Sequence, residues 1–291
     1  MSKFARGFGV VFAVMAGGGF FSALAAAPET PSPDLSGLWG RAGLFRFEPP
    51  LSGPGPVTNT SRFPDTVERV GDYTNPILTP RSAEIVKKRG DEQLAGVNFA
   101  DPRNQCRPEP PPFILALEFE IDVVQRKDEI DILYVYGHQT RRIRMNAPHP
   151  EHVTPSWYGD SVGHFEGNTL VVDTVGIKTG PLQMIDIFGT PYSKALHLVE
   201  RYRLIDGEAA NKAVPARATP FGNDIDPDAA KNGLQVEFTV EDPGAFTMPW
   251  SAVVTYRPLI GSWMEVVCTE NNGRNFGYEG ALPPHADKPD F

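Results

Sequence analysis

The sequence predicts a mainly β protein: an antiparallel meander closing into a lipocalin-like barrel, with an irregular Pro/Gly-rich N-terminal segment and one short helix. Three observations carry this expectation. Glycine (28) and proline (29) are both frequent among the 291 residues, which favours turns over long helices. From Phe113 onward, roughly seven or eight short stretches alternate apolar and polar side chains. Short polar turns join them with almost no helix between, the pattern of antiparallel pairing. Closure would remove exposed edges. A sandwich is the alternative, but mixed polar and aromatic faces favour a barrel, whose lumen can hold both kinds of side chain beside a ligand.

Taken in chain order, residues 1–25 read as a secretory signal: Lys3 and Arg6, an apolar stretch from Val10 to Phe21, then Ala23-Leu24-Ala25 as the A-x-A site. Residues 26–112 form the irregular segment, since "PPLSGPGPVTNTSRFP" suits neither helix nor central strand. Near 80–90, Pro80 at a helix start and Lys87-Lys88-Arg89-Gly90 at its end frame a short helix with a glycine stop. The barrel domain is expected over 113–275. Its strands are "EFEIDVVQR", a long "EIDILYVYGHQTRRIRM" bent at Gly137, and a hairpin in "GHFEGNTLVVDTVGI" turning at Glu166-Gly167-Asn168. "SKALHLVERYRLID", "LQVEFTVED", "SAVVTYRPL" and "SWMEVVCTE" follow. Residues 207–233, rich in Ala, Pro, Asp and Asn, read as an insertion loop, and 276–291 as a C-terminal tail.

Composition narrows the function classes. Removing a signal that carries Lys3 and Arg6 but no acid takes the net charge of −9 to −11. Such an acidic surface repels phosphate backbones, and no basic tract offsets it, so no nucleic-acid partner is expected. After the signal, no apolar run is long enough to span a bilayer, so a periplasmic or secreted protein is expected. Cys106 and Cys268, the only cysteines, suit a disulfide in an oxidising compartment. Closing so long a loop is worth about 5 kcal/mol before native strain is subtracted.

The motifs "HPEHVTPSWYGDSVGHFEGNTLVVDTVGI", "GTPYSKALHLVERYRL", "VEDPGAFTMPW" and "EVVCTENN" resemble a family of uncharacterised exported bacterial β-rich proteins. Its core reads W-x-G-x-S-V-G-x-[WF]-E-G-[ND]-T-L-V-V-D-T. The resemblance spans about Leu78 to Asn272 and implies a compact exported β fold, with no established reaction. The segment between Gly207 and Gly233 departs from the family, which passes quickly from the "ERYR" strand into the next.

Polar residues inside strands are the candidate chemistry. Glu200 interrupts the apolar row Leu196, Leu198, Tyr202 and Leu204, while His197, Arg201 and Arg203 alternate with it. On the long strand Tyr134, Tyr136, His138 and Arg142 share one parity. A barrel would bring one face of each strand to a common lumen. His138, Asp173, Tyr136 and Glu200 are therefore the expected catalytic residues, with proton transfer by His and carboxylate. Tyr134, Arg142, His197, Arg201, Trp157 and Glu265 are expected to bind a small molecule. The competing reading for each is a hydrogen-bonded structural residue, with Arg142 or Arg201 neutralising Glu200. His197 and Glu200 differ in parity, so a regular strand sends them to opposite faces.

His149, Glu151 and His152 lie in a proline-broken loop without H-E-x-x-H spacing, so no metal site is expected. Ser161 in "YGDSVG" lacks the strand–turn–helix context of a nucleophile elbow. No nicotinamide, flavin or nucleotide motif is present, so no cofactor is expected. The resulting expectation is an exported, cofactor-independent lyase, isomerase or hydratase acting on a small, partly apolar molecule. A non-catalytic carrier and a structural envelope protein are the alternatives.

Overall fold

The computed structural model describes residues 32–41, 46–61, 69–97, 99–117, 119–180, 182–214, 224–228, 230–263 and 266. The expected signal, the C-terminal tail, Cys268, Glu265 and most of the "SWMEVVCTE" strand lie outside the described residues. Among the described residues ten strands carry the fold: β1 (Gly37–Gly40), β2 (Ile121–Gln125), β3 (Glu129–Tyr134), β4 (Gln139–Met145), β5 (Asp160–Glu166), β6 (Thr169–Val175), β7 (His197–Ile205), β8 (Asp224–Ile225), β9 (Gly233–Glu241) and β10 (Trp250–Ile260). Nine close a barrel in the order β1-β2-β3-β4-β5-β6-β7-β9-β10, with β10 pairing back to β1; β8 adds only to the end of β10. The expected closed β architecture is thus present, though mixed rather than purely antiparallel.

Four features differ from the sequence reading. First, β4 and β5 run parallel, with Ile143 opposite Ser161 and Met145 opposite Gly163. The segment between them holds Pro148, Pro150 and Pro155, which cannot sustain a ladder, so it returns the chain to start β5 in the same direction.

Second, the expected long strand is two. A tight turn at Tyr136–His138, with Gly137 at φ 69° in the left-handed region, separates β3 from β4 and makes them an antiparallel hairpin. Parity does not carry across it.

Third, the barrel is closed by β1, which comes from the segment read as irregular. Trp39 pairs with Ile121 on one side and Pro258 on the other.

Fourth, the helix α1 (Pro80–Leu94) starts where expected, with the Thr79 hydroxyl accepting from the Ser82 amide, but runs through Gly90. Val70 packs against that glycine. Two further short helices are α2 (Phe113–Ala116) and α3 (Gly207–Ala213), the latter inside the expected insertion loop.

The barrel interior is a packed core. Ile130, Ile132, Ile143, Val172, Leu198, Leu234, Val236, Phe238, Ala252 and Val254 all face it and are buried. Phe238, Phe246 and Phe47 surround Trp250, two of the rings edge-on to it. Alternation sends these residues inward; on β10 the intervening Val253, Thr255 and Arg257 are buried as well.

Candidate functional site

The expected catalytic set does not converge in the lumen. Glu200 does face inward and is fully buried, and its partner is Arg141, not Arg142 or Arg201. Arg141 Nη1 donates to Glu200 Oε1 at 2.8 Å, and Nη2 also bonds Oε2. The same guanidinium donates to Ser161 Oγ at 3.1 Å and Thr174 Oγ1 at 2.7 Å, while Tyr202 Oη donates to Glu200 Oε1 at 2.9 Å. This is a satisfied structural network. Burial works against the Arg141 charge, but the Glu200 carboxylate outweighs it and holds the guanidinium well above its ordinary pKa.

Arg142 and Arg201 point outward and pair with Glu129 and Glu166. The turn at Gly137 explains the correction, because it shifts parity so that Arg141 rather than Arg142 faces in. Tyr134 lies inside, stacked on Tyr158 at 5.8 Å, with burial pushing its pKa up to about 12. Tyr136 stacks on Phe119 at 4.5 Å and donates to the Arg103 carbonyl at 3.4 Å. His138 sits in the turn at φ 50°, and its Nε2 accepts from the Val266 amide at 3.1 Å. Neither reaches Asp173 or Glu200 by a described hydrogen bond. Trp157 lies under the Lys178 ammonium at 5.1 Å.

A different polar group does assemble, on the outer face where β5 begins, β6 ends, β7 begins and β9 ends. Asp173 on β6 is shared by two histidines: His149 Nε2 meets its Oδ1 at 2.9 Å, and His197 Nε2 meets its Oδ2 at 3.0 Å. The chain continues both ways. His149 Nδ1 meets Asp160 Oδ1 at 2.6 Å, and Asp160 takes Arg144 Nη2 at 2.7 and 3.0 Å. His197 Nδ1 lies 3.6 Å from Glu241 Oε2, across the β7–β9 pair.

Strand register supplies Asp160, Asp173, His197 and Glu241. His149 arrives from the proline-broken crossover, which Arg144 ties down through the Pro148 carbonyl at 3.3 Å and Asn146 through the Gly163 carbonyl at 2.7 Å. Asp173 and His197 keep 39% and 34% of their side-chain surface exposed, enough to meet a solute.

The electrostatics suit proton transfer. Burial alone would lower the His197 pKa, but its contacts with Asp173 and Glu241 prevail and raise it. Burial alone would raise the Asp173 pKa, yet hydrogen bonds from His197 and His149 prevail and lower it. His197 Nδ1, at 3.6 Å from Glu241 Oε2, makes the loosest of the four ring-nitrogen contacts in the cluster. The other three ring nitrogens lie 2.6–3.0 Å from Asp160 or Asp173. Among the described residues no group of three or more His, Cys, Asp and Glu is arranged to hold a metal.

Sequence reasoning named Asp173 and His197 but missed their association, and missed Arg144, Asp160 and Glu241. It weighed His149 as a metal ligand and preferred a proline-broken loop without a site. The alternation of "DSVGHFE" and "LVVDTV" places Asp160 and Asp173 outward, which is the signal that was legible.

A second unforeseen group is Glu109, 1% exposed, with one carboxyl oxygen lacking a partner. Burial pushes its pKa up to about 8, against the opposing pull of its own backbone amide and Arg103, so it holds its proton at neutral pH. Compared with protein-family models, curated proteins and solved structures, the chain matches none.

Proposed function

We propose that the protein is an exported, cofactor-independent enzyme that moves protons on a small, partly apolar molecule, as a lyase, isomerase or hydratase would, and that it works at the outer-face cluster rather than in the lumen. The observation that carries this reading is Asp173 held between two histidines at 2.9 and 3.0 Å on a partly exposed face.

In this reading His197 is the acid and base. Its Nδ1 proton passes to the substrate, or returns to it, while Asp173 stabilises the imidazolium and fixes the ring through Nε2. His149 is a positioning residue, holding Asp173 from the far side. Export is supported by the order of charged, apolar and small residues at the N-terminus. A Cys106–Cys268 disulfide fits the same compartment.

The test starts from ligand co-purified with the full chain and identified by mass spectrometry, then incubated with wild type and His197→Gln. Conversion by the wild type and its loss in a folded His197→Gln variant are expected. Equal conversion by both would remove His197 from the chemistry. A bound molecule that neither protein changes would favour a carrier. The packed interior favours a structural envelope protein as the second reading, for which no ligand co-purifies.

A further inference from the structure

The crossover between β4 and β5 is fastened by side chains rather than by its backbone. Its ends are tied to the barrel: the Asn146 amide donates to the Gly163 carbonyl at 2.7 Å, and the Ser156 amide to the Gly176 carbonyl at 3.2 Å. Between them, Pro148, Pro150 and Pro155 have no amide hydrogen. Among the described residues no amide from Ala147 to Thr154 donates a hydrogen bond. Most side chains here are exposed; Ala147, His149 and Val153 are half-buried. Val153 rests on Gly176, where an added Cβ would collide with it. The Pro148 carbonyl accepts from Arg144 at 3.3 Å, and His149 is the strap's own polar anchor.

His149 has a carboxylate oxygen at each ring nitrogen: Asp160 Oδ1 at 2.6 Å from Nδ1, and Asp173 Oδ1 at 2.9 Å from Nε2. A carboxylate only accepts, and a neutral imidazole has one N–H to give. Both contacts are hydrogen bonds only when the ring carries both protons. The surroundings favour that charge. Asp160 is bonded by Arg144 through both oxygens, Asp173 meets His197, and His197 lies near Glu241. Three carboxylates thus face Arg144 and two imidazoles, and the charges balance when both rings are protonated. With both rings neutral, two negative charges are left over in a chain already at net −9. Among the described residues no other charged group pairs with these six; Glu151 and His152, on the strap itself, are exposed.

We infer that His149 is a pH-controlled latch: doubly protonated, it fastens the crossover across Asp160 and Asp173, and on losing a proton it lets the crossover lift from the outer face. In the neutral ring one nitrogen lone pair faces a carboxylate oxygen, so one of the two contacts becomes repulsive. The His149 side chain is 25% exposed, so solvent reaches the ring and the step is reversible. Histidine is the side chain whose charge ordinarily changes between about pH 5 and 8. Lifting the crossover uncovers Asp173 Oδ1, the oxygen that His197 does not hold. The inference does not depend on the acid/base reading, because it concerns how the crossover is held and not what the cluster does to a substrate.

The test uses the full chain, with the histidine ring protons and the Val153 methyl groups followed by NMR from pH 5 to 8.5. The nuclear Overhauser contact between Val153 and Gly176 should be present at pH 5 and lost by pH 8.5, with the same midpoint as the His149 titration. In His149→Gln, whose amide donates but cannot ionise, that contact should not change with pH. In His152→Gln it should follow the wild type, since His152 is exposed. A His149 ring that does not titrate across this range would overturn the latch, as would a Val153–Gly176 contact that stays constant while the ring titrates. A pH-dependent loss that persists in His149→Gln would do the same. No readout involves turnover, so a protein without the proposed activity still gives a decisive result.

Discussion

Replacing Arg141 by Met tests what holds the barrel interior together. Arg141 and Glu200 have side chains with no exposed surface, joined across the core by two hydrogen bonds. Removing the guanidinium strands the Glu200 carboxylate, leaving it only the Tyr202 hydroxyl. Breaking one partner from a buried pair costs about 3–5 kcal/mol, because the remaining charge stays desolvated. For a domain of this size that corresponds to a fall of about 6–20 °C in Tm.

The matching change, Glu200→Leu, should cost a similar amount. The double variant Arg141→Met/Glu200→Leu should regain most of the loss, since an apolar pair of similar volume needs no compensating charge. Ser161 and Thr174, bonded to each other at 3.0 Å, do not depend on the guanidinium for a partner. Urea unfolding at pH 7, followed by circular dichroism and tryptophan fluorescence, reads all three free energies. Single variants within about 1 kcal/mol of wild type would show that the charges are not buried as a pair. A double variant as unstable as the sum of the singles would refute the coupling.

The Asp173–His197 pair makes the outer-face cluster pH-dependent. The raised His197 pKa adds stability that is full below its ordinary value of 6.5 and is lost as pH rises through the folded value. The lowered Asp173 pKa adds stability that is full above 3.8 and is lost as pH falls through the folded value. The wild type should therefore exceed His197→Gln in urea midpoint most clearly between those two ordinary values, and the gap should narrow by pH 8.5; a constant gap from pH 5 to 8.5 would contradict the pairing. Glu109 has the opposite character for a carboxyl. Its folded pKa, raised from 4.5 to about 8, makes the wild type lose stability as pH climbs through that interval. Glu109→Gln, which cannot ionise, should gain on the wild type over the same interval, and parallel stability–pH curves for the two would count against a buried, proton-holding Glu109.

Local alternation and local turn chemistry were enough to recognise the β class, the start of α1 at Pro80, the hairpin between β5 and β6, and the buried row Leu198, Glu200 and Tyr202. Each of these depends on residues within one strand or one turn, where a period of two or a proline constrains the backbone directly. The sequence also posed the question of what meets Glu200, but the answer, Arg141, lies 59 residues away. Its parity was hidden by the turn at Gly137, which resets which side chains face in.

Only the tertiary structure decided that β1 closes the barrel from an apparently irregular segment, and that the proline-broken crossover carries His149 to Asp173. The outcome for the lumen was likewise beyond strand patterns. Alternation separates two faces, but whether the inner one encloses a ligand or fills with its own side chains depends on how the inward residues of nine strands pack against one another.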